Sequence, residues 1–120
     1  MAPMKMSTKQ VRLKESASIK KYEQYWHVFY AKTRVGKIYT EKRGEGEELW
    51  LNMFINQAFQ GKGIGSAALN QVCVRIGKQP LFAEIKKSNV ASQRVFKKVG
   101  FKFAKETPSG QDILMRKADK

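Results

Sequence analysis

Residues Gln60-Gly61-Lys62-Gly63-Ile64-Gly65-Ser66 place glycine at every second position. An alternating apolar run (Leu49, Leu51, Met53, Ile55) precedes them. A helix-periodic one (Gly65, Ala68, Leu69, Val72, Cys73, Ile76) follows. A strand, a glycine-rich turn and a helix start, in that order, make an anion site. Backbone N–H groups lie bare at the turn, and the helix dipole favours negative charge there. The chemistry to expect is the binding of a phosphate-bearing ligand. The spacing excludes the commonest forms. A P-loop needs a lysine between its last glycine and Ser/Thr, whereas Ser66 follows Gly65 directly. A dinucleotide fingerprint needs G-x-G-x-x-G, whereas these glycines fall at 61, 63 and 65.

A second motif begins 24 residues after Gly65: Asn89-Val90-Ala91-Ser92-Gln93-Arg94-Val95-Phe96-Lys97-Lys98-Val99-Gly100-Phe101. The two together resemble the acyl-coenzyme A pyrophosphate loop and the N-x-x-[AS]-x-x-[LV]-[YF]-x-K-x-G-F segment of the GNAT superfamily of N-acetyltransferases. The second is especially close to the branch that includes ribosomal-protein N-terminal acetyltransferases. The resemblance is clearest from Leu49 to Phe101 and weaker over Tyr25 to Tyr39.

The resemblance implies acetyl-coenzyme A as cosubstrate and a primary amine as acceptor: a protein or peptide, a polyamine or a small molecule. It also implies direct attack in a ternary complex and no metal. Backbone groups of Met53, Phe54 and Ile55 would hold the pantetheine arm and polarise the thioester. Gln60, Gly61, Lys62, Gly63, Ile64, Gly65 and Ser66 would carry the pyrophosphate. Asn89 would bond the pantetheine arm as well as capping its helix. Lys98, with Arg94 and Lys97 within one turn, would reach the 3′-phosphate. Phe96 stands where many members place a tyrosine that protonates the leaving thiolate, and phenylalanine donates no proton.

Transfer to an ammonium acceptor also needs a base. Glu48 and Asn52, beside or on the strand before the loop, are the candidates carried forward, with Glu84 on a later strand as another carboxylate. His27, the only histidine, sits mid-strand among aromatics, where a satisfied core or sheet-face histidine is the expectation. Cys73 lies on the apolar stripe of its helix and reads as a small core side chain.

These residues need a scaffold. Strands are expected at Val11–Lys14, Tyr25–Ala31, Val35–Thr40, Leu49–Asn56, Leu81–Ile85, Phe101–Ala104 and Asp112–Arg116. Thr33-Arg34 is the expected turn between the second and third. Helices are expected at Ile64–Ile76, stopped by Gly77, and at Val90–Val99, capped by Asn89 and closed by Gly100. Glu15–Glu23 has the polarity of a helical turn. The order predicts an α/β fold (α+β): a mixed, mostly antiparallel sheet with a central parallel pair and two core helices. In the resembled family that pair splays, and the cosubstrate fills the gap. The family usually inserts two acceptor-wall helices between its first and second strands, but here only about ten residues occupy that place. The expected acceptor site is therefore open or completed by another chain, with a homodimer through Tyr25, Trp26 and Phe29 as one outcome.

At 120 residues the chain suits one domain, residues 10–118, behind a flexible basic start at 1–9. No apolar run approaches a membrane span, and a single cysteine forms no internal disulfide; a cytoplasmic setting fits both. The net charge is +14, distributed as +7 over residues 1–40, +1 over 41–80 and +6 over 81–120. Solvation alone is one reading of this excess, and attraction of acidic partners is another. Two other function classes therefore stand beside the enzyme. One is a catalytically degenerate acyl-coenzyme A-binding module. The other is a basic nucleic-acid or transfer-RNA-associated protein, a partner class that is possible but not favoured from sequence.

Overall fold

The computed structural model describes residues 8–16, 23–46 and 48–117. Seven strands form one sheet: β1 (Val11–Glu15), β2 (Gln24–Tyr30), β3 (Thr33–Arg43), β4 (Glu48–Ile55), β5 (Leu81–Ile85), β6 (Lys102–Glu106) and β7 (Asp112–Arg116). Two helices, α1 (Ile64–Ile76) and α2 (Val90–Lys98), connect β4 to β5 and β5 to β6. The spatial order is β1-β2-β3-β4-β5-β7-β6, with β4 and β5 the parallel neighbours and every other pair antiparallel. The expected mixed sheet with a central parallel pair and two helices is the one observed.

Both helical connections step in the same direction along the sheet. Right-handed crossovers therefore put α1 and α2 on one face. Sequence periodicity agrees. Leu49, Leu51 and Ile55 of β4, with Leu81, Ala83 and Ile85 of β5, point into a single core with Ile64, Ala68, Leu69, Val72 and Cys73 of α1 and Phe96 of α2. The alternate residues point the other way. Tyr25, His27, Lys37, Tyr39, Glu41, Arg43, Trp50, Asn52, Phe82 and Glu84 line a second face, and no described helix packs there.

The parallel ladder is short. It consists of Leu49↔Leu81 and Trp50↔Phe82 and then stops, although β4 runs on to Ile55 and β5 to Ile85. Each strand stays tied to its outer neighbour along this stretch, β4 to β3 as far as Gly36↔Ile55 and β5 to β7 as far as Ile85↔Asp112. The two halves of the sheet therefore diverge past Trp50 and Phe82. Gly36 allows β3 to follow β4 closely, since a Cβ there would overlap the Phe54 carbonyl oxygen.

Four expectations change. The β2–β3 turn falls at Ala31-Lys32 rather than Thr33-Arg34, with Ala31 at φ 51°. No glycine or asparagine marks that left-handed position. β3 runs three residues past Thr40, because Glu41, Lys42 and Arg43 pair with Trp50, Leu49 and Glu48. Phe101 is not the first residue of β6 but the hydrophobic end of α2. Its N–H bonds the Phe96 carbonyl (3.0 Å), that of Gly100 bonds the Lys97 carbonyl (3.1 Å), and its ring meets Phe96 edge-on at 5.0 Å. This is a Schellman closure with its usual hydrophobic contact. Trp26 does not belong to a free surface, because it is wholly buried in the core with Val28 and Ile38. Tyr25 is also buried, stacked on Tyr39, and Phe29 is half-buried on the second face. The expected helical turn at 15–23 and the frayed start fall largely outside the described residues. Among the described residues no helix is long and apolar enough to cross a membrane.

Candidate active site

The divergence of β4 from β5 opens a cleft through the sheet, and a cavity lies on each side of it. The first, about 460 Å³, is on the helix face. Its floor is Met53, Phe54 and Ile55, the end of β4 that β5 no longer pairs. One wall is the loop and start of α1, from Gln60, Gly61, Gly63, Gly65 and Ser66. The other wall is α2, from Asn89, Ser92, Arg94, Val95 and Lys98.

Local sequence builds each wall. Gly61 and Gly63 hold φ at 75° and 87°, a region that favours glycine. Gly63 is the N-cap of α1 and has no side chain to satisfy the first-turn N–H groups, and no acidic residue sits in that turn. Those donors and the positive end of the helix therefore face the cavity. The Gln60 amide bonds the Ile55 carbonyl (2.9 Å) and so ties the loop to the end of β4. Arg94 and Lys98, four apart on α2, present two cations on one helix face. The Asn89 carbonyl oxygen accepts from the Ser92 N–H (3.2 Å), an N-cap that leaves its amide nitrogen for other work.

The second cavity, about 510 Å³, reaches the other face. Lys37 and Tyr39 of β3, Asn52 of β4 and Glu84 of β5 line it, with Lys86, Phe96 and Gln111 at its margins. Met53, Phe54, Asn89 and Ser92 line both cavities, so the two spaces share the cleft as a common wall. Beside it, Arg43 bridges β3 to β5. Its guanidinium bonds Glu41 (2.8 Å) and Glu84 (3.1 Å) and lies 4.6 Å from the Trp50 ring. Burial works against the Arg43 charge, but the bonds to Glu41 and then Glu84 outweigh it and raise the pKa. Asn52 donates to the same Glu41 oxygen (3.3 Å).

The acetyltransferase (GNAT) domain family matches residues 3–102. This chain belongs to the GNAT acetyltransferase domain family. The match reaches further toward the start than the motifs do by themselves. Solved structures agree in fold. RimL, described as a ribosomal L7/L12 alpha-N-protein acetyltransferase in complex with coenzyme A, superposes with a TM-score of 0.69 at 16% identity, covering 83% of this chain and 64% of its own. The yncA protein of Salmonella typhimurium, solved with acetyl-coenzyme A, gives 0.68 at 21% identity, covering 83% and 66%. An acetyltransferase from Thermus thermophilus gives 0.68 at 22%, covering 82% and 66%. This GNAT chain thus spans just under two thirds of each relative's length. No curated protein matches it.

Of the residues singled out by sequence, Met53, Phe54, Ile55, Gln60, Gly61, Gly63, Gly65, Ser66, Asn89 and Lys98 come together on the first cavity. Lys62 does not line it, and Ile64 is a core residue of α1. Phe96 is buried and borders the second cavity instead. Asn52 lines that cavity, but Glu48 lines neither. Glu48 is exposed where β4 leaves the hairpin, about 17 Å along the strand from Met53. His27 lines neither cavity, and Cys73 is buried in the core. Sequence reasoning missed Ser92, Lys37, Tyr39 and Gln111. Ser92 was legible as the small residue of the second motif, whereas the other three arrive through sheet register. Among the described residues no group of three or more His, Cys, Asp or Glu side chains is placed to hold a metal ion.

Proposed function

We propose that this chain is an acetyl-coenzyme A-dependent N-acetyltransferase, taking the cosubstrate on the helix face and a primary amine from the other. The observation that carries the reading is the cleft: Met53, Phe54, Asn89 and Ser92 belong to both cavities, so two ligands on opposite faces of the sheet meet at one point. The residues fit the cosubstrate. Bare N–H groups of α1, with Arg94 and Lys98, suit its phosphates, and the unpaired edge of β4 suits the amides of its pantetheine arm.

Direct transfer then requires deprotonation of the acceptor ammonium, attack of the nitrogen on the thioester carbonyl, cleavage of the C–S bond, and loss of the second nitrogen proton to solvent as the amide forms. Glu84, the carboxylate that lines the acceptor cavity, is the proposed base in place of Glu48. Asn52 is a positioning residue, acting through Glu41 on Arg43. Phe96 supplies no proton. Coenzyme A leaves as the thiolate, which is acceptable for a thiol whose pKa is not far above that of cysteine, roughly 8.5. The test is release of coenzyme A from acetyl-coenzyme A with a panel of peptides, polyamines, aminoglycosides and aminoacyl-transfer RNA. Turnover with any amine supports the enzyme. Binding of acetyl-coenzyme A without turnover across the panel replaces it with an acyl-coenzyme A-binding module.

A further inference from the structure

Across the second face of the sheet, Lys14, His27, Lys37 and Phe54 stand in register, one from each of β1 to β4. Arg12, Phe29 and Arg34 form the next row. Tyr25, Tyr39 and Asn52 form the row on the other side. Neighbouring strands lie about 4.8 Å apart, and alternate residues of a strand about 6.8 Å apart. Cations and flat rings therefore alternate over a compact area. Lys32 adds a further charge at the β2–β3 turn, where it lines a hollow of about 390 Å³ with Arg12, Lys14 and Phe29.

This charge is uncompensated. Arg12, Lys14, Lys32, Arg34 and Lys37 are exposed, and none makes an ion pair among the described residues. The one hydrogen bond of Arg12 goes to the Ala31 carbonyl (2.9 Å). Of the strand carboxylates on this face, Glu41 and Glu84 are bonded to Arg43, and Glu48 stands at the far end of β4, about 20 Å along the strand from Phe54. The imidazole of His27 registers the field: burial first, then Arg34 and Lys14, push its pKa below the ordinary value.

Cations in this number ask for a polyanion. The rings decide which kind. An acidic peptide satisfies the charges and has no use for flat faces, whereas a single-stranded polynucleotide uses both, with phosphates on the cations and bases stacked on the rings. We propose that this face binds single-stranded nucleic acid. The phosphates lie on Arg12, Lys14, Arg34 and Lys37, and the bases lie against Phe29, Tyr39 and Phe54. Phe54 is 55% exposed and stands at the cleft, where its ring is open to a base. Lys37, Tyr39 and Phe54 also line the acceptor cavity, so the bound strand runs up to the cleft. The inference does not rest on acetyl transfer, because binding is measured without acetyl-coenzyme A.

The test is fluorescence anisotropy of the full chain with labelled oligouridylate of about 15 nucleotides, near the upper site size of a single-stranded binding face, over a salt series. Replacing Arg12, Lys14, Arg34 and Lys37 together by Gln is expected to flatten the plot of log K against log salt by about 3, at roughly 0.7 per phosphate contact. Removing the same number of charges on the helix side, at Lys62, Arg75, Lys78 and Lys97, is expected to leave it nearly unchanged. Phe29→Leu is expected to weaken binding roughly 5-fold or more, the loss of one stacked base. The single imidazole signal should titrate at higher pH when the oligonucleotide is bound. Circular dichroism establishes that each variant folds. The proposal is overturned if no binding appears at low salt, or if both quadruple variants lose affinity alike. It is also overturned if polyglutamate of equal charge binds as tightly. A final overturning result is that the first quadruple variant loses a dimer in sedimentation rather than affinity for the oligonucleotide, which assigns the face to a second copy of the chain.

Discussion

Gly63 turns the chain into α1 with φ at 87°, and its carbonyl already accepts the Ala67 N–H at 3.1 Å. A β-branched residue is strained there by roughly 1–2 kcal/mol or more and adds bulk at the wall of the cofactor cavity. Gly63→Val is therefore expected to fold and to lose affinity for acetyl-coenzyme A at least tenfold by calorimetric titration. Gly65 is different. A Cβ there meets Ile55 Cγ1, Met53 Cε and Val95 Cγ2 at 3.6 Å each, ordinary contact, so Gly65→Ala should keep the fold. At the other ligand, Glu84→Gln is expected to lower kcat about 10²-fold with little change in KM for acetyl-coenzyme A. Glu48→Gln is expected to change neither, and loss of turnover in that variant with Glu84→Gln active would reverse the assignment. The glycine spacing was legible in the sequence because local backbone geometry demands it. The choice between Glu48 and Glu84 was not. It depends on where the β4–β5 ladder stops, a relation between strands separated by a whole helix.

Elements whose ends carry their own chemistry were read to within a residue. α1 ends at Gly77, whose N–H bonds the Cys73 carbonyl, and α2 runs from the Asn89 cap to the Gly100 turn. The β2–β3 turn is not legible in the sequence because Ala31 and Lys32 carry no such mark. α2 is further fixed to the sheet by a cluster that no local pattern announces. Lys87 bonds Asp112 (2.5 Å) and pairs with Glu106 (3.3 Å), and the Gln93 amide donates to Asp112 (3.0 Å). The Asp112 carboxyl is held below its ordinary pKa, first by Lys87 and then, against some burial, by Gln93. A carboxyl with a depressed folded-state pKa contributes stability that is present above its unfolded value. That contribution is lost as pH falls through the folded one. Asp112→Asn is therefore expected to lower Tm at pH 7. The difference from wild type should shrink below about pH 4 and vanish well below it. Thermal denaturation at stepped pH checks this, and a difference that persists undiminished at pH 2 would show that the side chain acts by shape rather than charge.

At the scale of the whole molecule the sheet separates two basic surfaces. The first cavity faces the helices with Arg94 and Lys98, and the basic rows of β1 to β3 lie on the opposite side. The net charge of +14 was visible in the composition, but its division between two faces was not, since the cations of residues 1–40 converge only through antiparallel register. Ligands at separate sites act independently unless something couples them. Acetyl-coenzyme A at about 100 times its Kd is expected to stabilise the fold by roughly 2.7 kcal/mol. At this chain length that corresponds to a rise in Tm of several degrees. Nicotinamide and adenosine nucleotides lacking a pantetheine arm should do much less, because only that arm uses the unpaired edge of β4. The variant lacking Arg12, Lys14, Arg34 and Lys37 is expected to show the same rise with acetyl-coenzyme A as wild type, and saturating oligouridylate should add to the rise rather than abolish it. Differential scanning fluorimetry with each ligand alone and with both decides the matter. Additive shifts place the two ligands on opposite faces, whereas displacement of acetyl-coenzyme A by oligouridylate would put both polyanions in the groove between α1 and α2.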